Sequence, residues 1–374
     1  MTPFKVVVIG AGQAGLASAQ QLTNRGLRPG SDFLILDAND GPGGAWRHRW
    51  DSLTLGKTHG IADLPGLAAP RGDDTVPASR LVSEYYGSYE EVFNLAVRRP
   101  IRVLRVSQDS PHVPFQLELS SGESICAHII ISATGTWDSP FIPHIPGIET
   151  FQGKQLHTKD FVHAADFADR RTVVVGGGLS AIQFLLELGA ETPTVWATRR
   201  PPEFLGNATS ASWGLDVEKR VRARTLRGEG PGSVVSNTGI PARTDYHAGV
   251  NSGLLVSRGM FDQITPEGVV FAGTPPGPAY GWDPLPAGTF VDADIIFWNT
   301  GFRPSLQHLA PLHLRSPRGG IHMTDEVTTA RNPRVLLAGY GSTLPPLERP
   351  ALVTGPPPLR QNCLDSAAAR WRGL

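Results

Sequence analysis

Residues 4–22 read FKVVVIGAGQAGLASAQQL, and this stretch decides the fold. The first six residues are short, β-branched and stop at glycine, the pattern of a strand buried on both faces of a parallel sheet. Gly10-Ala11-Gly12-Gln13-Ala14-Gly15 fits GxGxxG, and a helix is predicted over 14–25 with Gly26 as its stop. Residues 33–37, FLILD, form the next strand and complete a βαβ unit. Each glycine has a physical task. The first makes the tight turn, the second lets a pyrophosphate approach the backbone, and the third lets helix and strand pack closely. The helix N-terminus offers unpaired N–H groups and the positive end of its dipole. Asp37, followed by Ala38, can accept hydrogen bonds from ribose hydroxyls.

The pattern recurs. Residues 172–175, TVVV, are a strand, Gly176-Gly177-Gly178-Leu179-Ser180-Ala181 is a second glycine loop, residues 179–188 are a helix, and 195–198 are a strand. This internal repeat carries more weight than either copy. The second copy has no acid at the end of its second strand. It has Arg199-Arg200, and two guanidinium groups there suit a 2′-phosphate. An acidic site and a basic site imply two different dinucleotides. The acidic one suits FAD or NAD and the basic one suits NADPH, so an enzyme using FAD and NADPH follows, with hydride passing from nicotinamide to flavin.

Between and after the repeats, a helix is predicted over 78–97 and an antiparallel meander over 101–106, 114–119 and 124–127. Strands are predicted at 129–132, 294–298 and 334–338, and a closing helix at 359–371. Ala133-Thr134-Gly135 ends one of these strands and Asn299-Thr300-Gly301 ends another. Residues 206–255, with Arg220, Arg222, Arg224 and Arg227, read as a solvated surface insertion. The expected fold class is α/β, with two Rossmann-like dinucleotide-binding domains, the second inserted in the first. The FAD-binding domain is expected over 1–160 and 290–374 and the NADPH-binding domain over 161–289.

Composition narrows the function. The 374 residues carry 34 basic and 34 acidic side chains, so a dominant nucleic-acid-binding surface is not expected. The 42 glycines and 33 prolines, about one residue in five, fall short of a disordered or collagen-like composition. Cys126 and Cys363 lie far apart, with no CxxC pair, which excludes a disulfide framework and a four-cysteine zinc site. No metal site is expected. The chain opens on Met1-Thr2-Pro3 with no signal pattern, and no apolar run reaches the ~18 residues of a membrane span. A cytoplasmic protein without membrane or nucleic-acid partners is expected, with a homodimer left open.

Residues 151–161, FQGKQLHTKDF, fit FxGxxxHxxx(F/Y) just ahead of the second glycine loop. Together with Gly43-Gly44-Ala45-Trp46-Arg47 and the two segments at 133–135 and 299–304, this order of motifs resembles the flavin-containing monooxygenase family over about residues 4–341. The resemblance implies an FAD- and NADPH-dependent monooxygenase. Such an enzyme puts one atom of O2 into a small organic substrate, by S- or N-oxygenation, through a flavin C4a-hydroperoxide in a dry pocket. It implies FAD contacts at Gly10, Gly12, Gln13, Ala14, Gly15, Asp37, Ala38, Gly44, Ala45, Trp46, Ala133, Thr134 and Gly135. It implies NADP contacts at Gly176, Gly177, Gly178, Leu179, Ser180, Ala181, Arg199, Arg200, Asn299, Thr300 and Gly301. His157 is implied as an interdomain positioning residue. The motif ends Phe161-Val162, without the Trp-Pro or Trp-Asp ending of Baeyer–Villiger monooxygenases. Where many members place an asparagine near the flavin, this chain has Gly56-Lys57-Thr58-His59, and the resemblance leaves two alternatives: Lys57, Thr58 or His59 supplies the hydrogen bond or charge there, or none of them reaches it. The alternatives are a Baeyer–Villiger or other carbon-oxidising monooxygenase, an NADPH oxidase or reductase without oxygen insertion, and a non-catalytic flavoprotein.

Overall fold

The computed structural model describes residues 2–58, 61–71, 73–204, 240, 243–273, 277, 279–317 and 319–339. His59, the stretch 205–239, Gly341, the proline-rich stretch 345–358 and the closing helix expected at 359–371 lie outside the described residues. The first elements are β1 (Phe4–Ile9), α1 (Gln13–Asn24), β2 (Phe33–Leu36), α2 (Ala78–Val92), β3 (Val97–Arg98), β4 (Val103–Ser107), β5 (Phe115–Leu119) and β6 (Ser124–Ser132). Then come β7 (Lys154–His157), β8 (Thr172–Val175), α3 (Leu179–Leu188), β9 (Thr194–Ala197) and α4 (Thr244–Asn251). Last are β10 (Phe261–Thr265), β11 (Gly268–Phe271), β12 (Phe290–Asp292), β13 (Ile295–Trp298) and β14 (Val335–Leu337).

The chain divides into two compact units. Unit 1 runs to Asp138 and resumes at Pro304, and unit 2 occupies the described residues from Ser139 to Arg303, so the second is inserted in the first. The boundaries expected at 160/161 and 289/290 both fall inside unit 2. The reason is pairing: β7 and β13 are strands of the same sheet as β8.

In unit 1 the sheet order is β3-β2-β1-β6-β5-β4, with β14 also on β6. Strand β1 pairs in parallel with β2 on one side and β6 on the other. Its side chains alternate between two cores. Val6 and Val8 pack with Leu16, Ala19, Phe33 and Tyr86 on the helical face, while Val7 and Ile9 pack with Leu34, Phe115 and Ile130 on the other. A strand covered on both faces has no polar positions to alternate, which is why its buried part, Val6–Ile9, reads as a continuous apolar run. The segments expected as separate strands at 124–127 and 129–132 are one strand, β6. Its first half pairs antiparallel with β5 and its second half in parallel with β1 and β14. The helix expected over 78–97 stops at Val92, because Asn94 and Ala96 adopt φ of 49° and 47° before β3 joins β2.

Unit 2 holds a parallel sheet in the order β7-β13-β8-β9 and a three-stranded antiparallel sheet, β10-β11-β12. Val173, Val175, Ile296 and Trp298 face the antiparallel sheet through Phe261, Ile264, Val269 and Phe271. On the other face Phe297 packs on Phe161, Phe167 and Phe184, with ring centroids 4.9–6.1 Å apart. The sequence reading did not anticipate the antiparallel sheet. Its signal is the Thr265-Pro266-Glu267-Gly268 turn between two short β-branched runs.

One buried group gives unit 1 a pH dependence. His308 is buried with Nε2 3.2 Å from Ser132 Oγ, and burial pushes its pKa down to about 4. A free histidine titrates near ~6.5. The unfolded chain therefore takes up the proton first as the pH falls. Stability is lost from about pH 6.5 downward and the loss is complete near the folded value, about 3 kcal/mol in all. Urea unfolding at pH 7.5 and at pH 4.5 should show this loss, and His308→Gln should remove most of it. An equal acid sensitivity in the variant would refute the assignment.

Candidate functional site

Both glycine loops occupy the same place in their sheets. Strand β1 lies between β2, which it reaches through α1, and β6; β8 lies between β9, which it reaches through α3, and β13. A loop at the carboxyl end of such a strand opens into the crevice where the strand order reverses, the usual ligand site of an open parallel sheet.

In unit 1 the N–H of Gly10 donates to the Leu36 carbonyl at 2.7 Å, and the N–H of Ala133 donates to the Ile9 carbonyl at 2.8 Å. Gly10 has φ of 98°, and a Cβ there would stand 2.5 Å from the Ala133 carbonyl oxygen. A Cβ on Gly15 would stand 1.8 Å from the Gly10 carbonyl oxygen. The first and third glycines are thus imposed by the protein's own backbone. Gly12 is different: a Cβ there would meet only the Gly44 Cα, at 3.9 Å. That open side, at the cap of α1, is the space a pyrophosphate needs, with the first-turn amides including Gln13 and Ala14 unpaired within the helix.

Asp37 is buried beneath this loop. Its Oδ2 accepts from the Ala11 N–H and its Oδ1 from the Asn39 N–H, both at 2.7 Å. Each carboxylate oxygen keeps a second acceptor site, so the acceptors fit ribose hydroxyls. Ala38 follows it, exposed. The Gly43–Trp46 segment lies against the loop, since a Cβ on Gly44, at φ 54°, would come within 2.8 Å of the Gly12 Cα. Ala45 is exposed and Trp46 half-buried. Thr134 Oγ1 donates to the Ser305 carbonyl at 2.7 Å, and the Ser305 N–H donates to the Gly135 carbonyl at 2.9 Å. Gly339, which the sequence reading did not assign, stands against the start of α1, where a Cβ would be 2.9 Å from the Ala14 Cβ.

In unit 2 the same contact recurs. Gly176 has φ of 133°, and a Cβ there would stand 2.2 Å from the Asn299 carbonyl oxygen. Gly177 is open, its nearest neighbour being Thr198 Cγ2 at 3.8 Å, and Gly178 caps α3 ahead of Leu179, Ser180 and Ala181. Trp196 Nε1–H donates to the Gly176 carbonyl at 2.7 Å and steadies the turn. At the end of β9, Thr198 Oγ1 donates to the Arg200 carbonyl and shares a hydrogen bond with Ser257 Oγ, each at 2.7 Å. This buried pair shapes the turn that carries Arg199 and Arg200, both exposed and without an acidic partner among the described residues. The donor set fits a 2′-phosphate.

The FxGxxxH segment is also explained by packing. A Cβ on Gly153 would stand 2.5 Å from both the Asp294 carbonyl oxygen and the Phe151 ring. His157 ends β7, buried, with Nε2–H donating to the Gly301 carbonyl at 3.0 Å and the edge of its ring against Phe302. Burial pushes its pKa down, only partly offset by the Gly301 carbonyl. A neutral imidazole that holds a carbonyl suits positioning rather than proton transfer. Thr158 Oγ1 donates to Asn299 Oδ1 at 2.9 Å, and Thr300 Oγ1 donates to the Phe141 carbonyl. His157, Asn299, Thr300, Gly301 and the Gly176 loop therefore form one constellation inside unit 2.

Lys57 and Thr58 lie on and after a 3-10 turn, Leu55–Lys57, tied to residues 74–76 by the Gly56 and Leu55 amides. Lys57 is exposed, and Thr58 Oγ1 donates to the Leu55 carbonyl at 2.8 Å. Gly56 packs on Asp74, whose Cβ would be 2.9 Å from an added Cβ. The sequence reading missed a cluster of Trp46, Arg49, Trp50 and Trp137. Its signal was the dense WRHRW run at 46–50. Among the described residues no group of three or more His, Cys, Asp or Glu side chains could hold a metal, and no helix is long and apolar enough to cross a membrane.

The pattern of the pyridine nucleotide-disulphide oxidoreductase family matches residues 7–229. A double mutant of the flavin monooxygenase from Stenotrophomonas maltophilia superposes with a TM-score of 0.76 at 30% identity, covering 100% of this chain and 99% of that one. The YUCCA1 indole-3-pyruvate monooxygenase of Oryza sativa subsp. japonica is 31% identical over 183 residues, 49% of this chain and 44% of that protein. A Baeyer–Villiger monooxygenase of Streptomyces coelicolor is 27% identical over 204 residues, 54% of this chain and 38% of that protein. The matched region spans about half the length of these curated relatives or less.

The glycine geometry makes a paired prediction. Gly12→Ala should fold with an unchanged melting temperature as apoprotein and bind FAD at least about tenfold more weakly, because only the ligand competes for that space. Gly15→Ala should lose about 1–3 kcal/mol or fail to fold, because its methyl meets backbone. Melting curves of the apoproteins and FAD titrations check both. Equal destabilisation of the two variants would contradict this reading of the loop.

Proposed function

The chain belongs to the pyridine nucleotide-disulphide oxidoreductase family and to its flavin-containing monooxygenases, and from that premise we propose an FAD- and NADPH-dependent monooxygenase that oxygenates a small organic substrate at sulfur or nitrogen. In balance, substrate, O2, NADPH and a proton give the oxygenated substrate, water and NADP⁺. The observation that carries this reading is the pair of like-built loops with opposite charge beside them: Asp37 at the end of β2, Arg199 and Arg200 after β9. The chain has no CxxC pair, so the disulfide chemistry in the broader family's name has no dithiol to use.

Bound FAD would supply two-electron chemistry with NADPH and activation of O2. The residues bind and orient. The open side of Gly12 and the amides of α1 hold a pyrophosphate, Asp37 holds a ribose, and Gly44–Trp46 and Ala133–Gly135 line the loop. Leu179, Ser180 and Ala181 offer the amides of α3 to the second pyrophosphate, and the two arginines hold the 2′-phosphate. His157 fixes the Gly301 carbonyl beside the Gly176 loop, a positioning role. A Baeyer–Villiger reaction is the second reading, favoured by similarity to the Streptomyces coelicolor enzyme; the Phe161-Val162 ending weighs against it.

The test is direct. The purified protein should carry flavin absorbance, be bleached by NADPH under anaerobic conditions, and incorporate label from ¹⁸O2 into an organic sulfide or amine. Stoichiometric peroxide without labelled product would make it an oxidase. Arg199→Ala combined with Arg200→Ala should raise the KM for NADPH about tenfold or more and change the KM for NADH by less than about twofold, since each charge-assisted bond lost is worth about 1.5–3 kcal/mol. Equal effects on both nucleotides would remove the 2′-phosphate assignment. His157→Ala should keep its FAD content yet release more peroxide per NADPH consumed, and unchanged coupling would count against its positioning role.

A further inference from the structure

The cluster around Arg49 is unused by the assignments above. Its guanidinium carbon lies 4.3 Å from the ring centre of Trp137, 5.9 Å from Trp50 and 6.0 Å from Trp46. Trp50 and Trp137 are buried and Arg49 is half-buried. Three acids of this unit have partners of their own. Asp40 pairs with Arg47 at 2.5 Å, Asp138 pairs with Arg102 at 2.7 Å, and Asp37 holds two backbone amides. Among the described residues no ion pair reaches Arg49, and burial pushes its guanidinium down to about 10 with no acid offsetting it.

Three indole faces attract a cation but do not neutralise it. A partly desolvated charge without a counterion is unfavourable, and a planar guanidinium is well matched to an anionic group with paired oxygens. Its position in unit 1 says which ligand brings that group. Trp46 follows Gly44, which lies against Gly12, and Trp137 follows the Ala133–Gly135 segment, which lies against Gly10. Arg49 therefore joins the two segments that flank the dinucleotide loop.

We propose that Arg49, held by Trp46, Trp50 and Trp137, supplies the positive charge that meets an anionic part of the FAD bound at this loop. The inference rests on the FAD reading above. Two parts of FAD offer that chemistry: the pyrophosphate, charged in both oxidation states, and the ring system, which gains negative charge on two-electron reduction. Charge near the ring tunes the flavin's electronics, so the two sources leave different signatures.

The experiment compares the wild type with Arg49→Gln, Arg49→Met and Arg49→Lys. Two quantities are read: the Kd of oxidised FAD for the apoprotein, by fluorescence titration, and the midpoint potential of the bound flavin. If the pyrophosphate is the partner, Arg49→Gln weakens oxidised FAD binding about tenfold with the potential unchanged. If the ring is the partner, oxidised FAD binds as before and the preference for reduced over oxidised FAD falls about tenfold, a drop of about 30 mV for a two-electron couple. In either case Arg49→Lys, which keeps the charge but not the planar fork, retains part of the wild-type value. Arg49→Met packs an apolar stem on the indoles without a charge, and it stands in for Arg49→Gln if that variant does not fold. Unchanged affinity and potential in the uncharged variants, or a lysine variant that behaves like them, overturns the proposal. A wild-type protein that holds no flavin would instead remove the FAD reading itself.

Discussion

Both units rest on one steric constraint: a strand end and its neighbour's strand end touch backbone to backbone. Gly10 closes on the carbonyl of Ala133, and Gly176 on that of Asn299. No side chain fits at either point. This contact sets how closely the glycine loop approaches the adjoining strand, and with it where the following helix begins. The amides at the starts of α1 and α3, the open faces of Gly12 and Gly177, and the placement of Ala133–Gly135 and Asn299–Gly301 all follow from it. The repeat in the sequence is thus a repeat of a contact, made once in each unit.

What differs between the copies is charge, and its placement is local. Asp37 is drawn under its loop by two amides, so its carboxylate sits at a fixed height. Arg199 and Arg200 stand on a turn fixed from beneath by Thr198 and Ser257, leaving the guanidinium groups outside. One scaffold can therefore favour a ribose diol in one unit and a phosphate in the other without any change in strand order.

The parts legible in the sequence are those where the backbone dictates the residue. Gly10, Gly15 and Gly176 admit no other side chain, and Gly153 is fixed by the Phe151 ring and a carbonyl. Runs such as 6–9 and 173–175 are apolar throughout because both faces are covered. The rest depended on partners distant in the chain. The change of pattern within β6, from alternating to continuous, reads as two strands. It is one strand whose neighbour changes from β5 to β14. The apolar spacing of α2 carries on through Phe93 and Leu95, while the backbone leaves the helix at Asn94. The edges of the second compact unit depend on β7 and β13, which declare their sheet only through pairing. Trp137 lies far from Arg49 in sequence, and no spacing rule joins them.

The double use of β6 also orders events during synthesis. The parallel partner of its carboxyl half, β14, is Val335–Leu337, and it leaves the ribosome only after every residue of unit 2. Until then Ile130 and Ile131 present an unpaired strand edge in a nascent chain, the kind of surface that recruits other strands. Unit 2 has all its described strands by Trp298. The inserted unit can thus mature first, while the unit that begins the chain is the last to be completed.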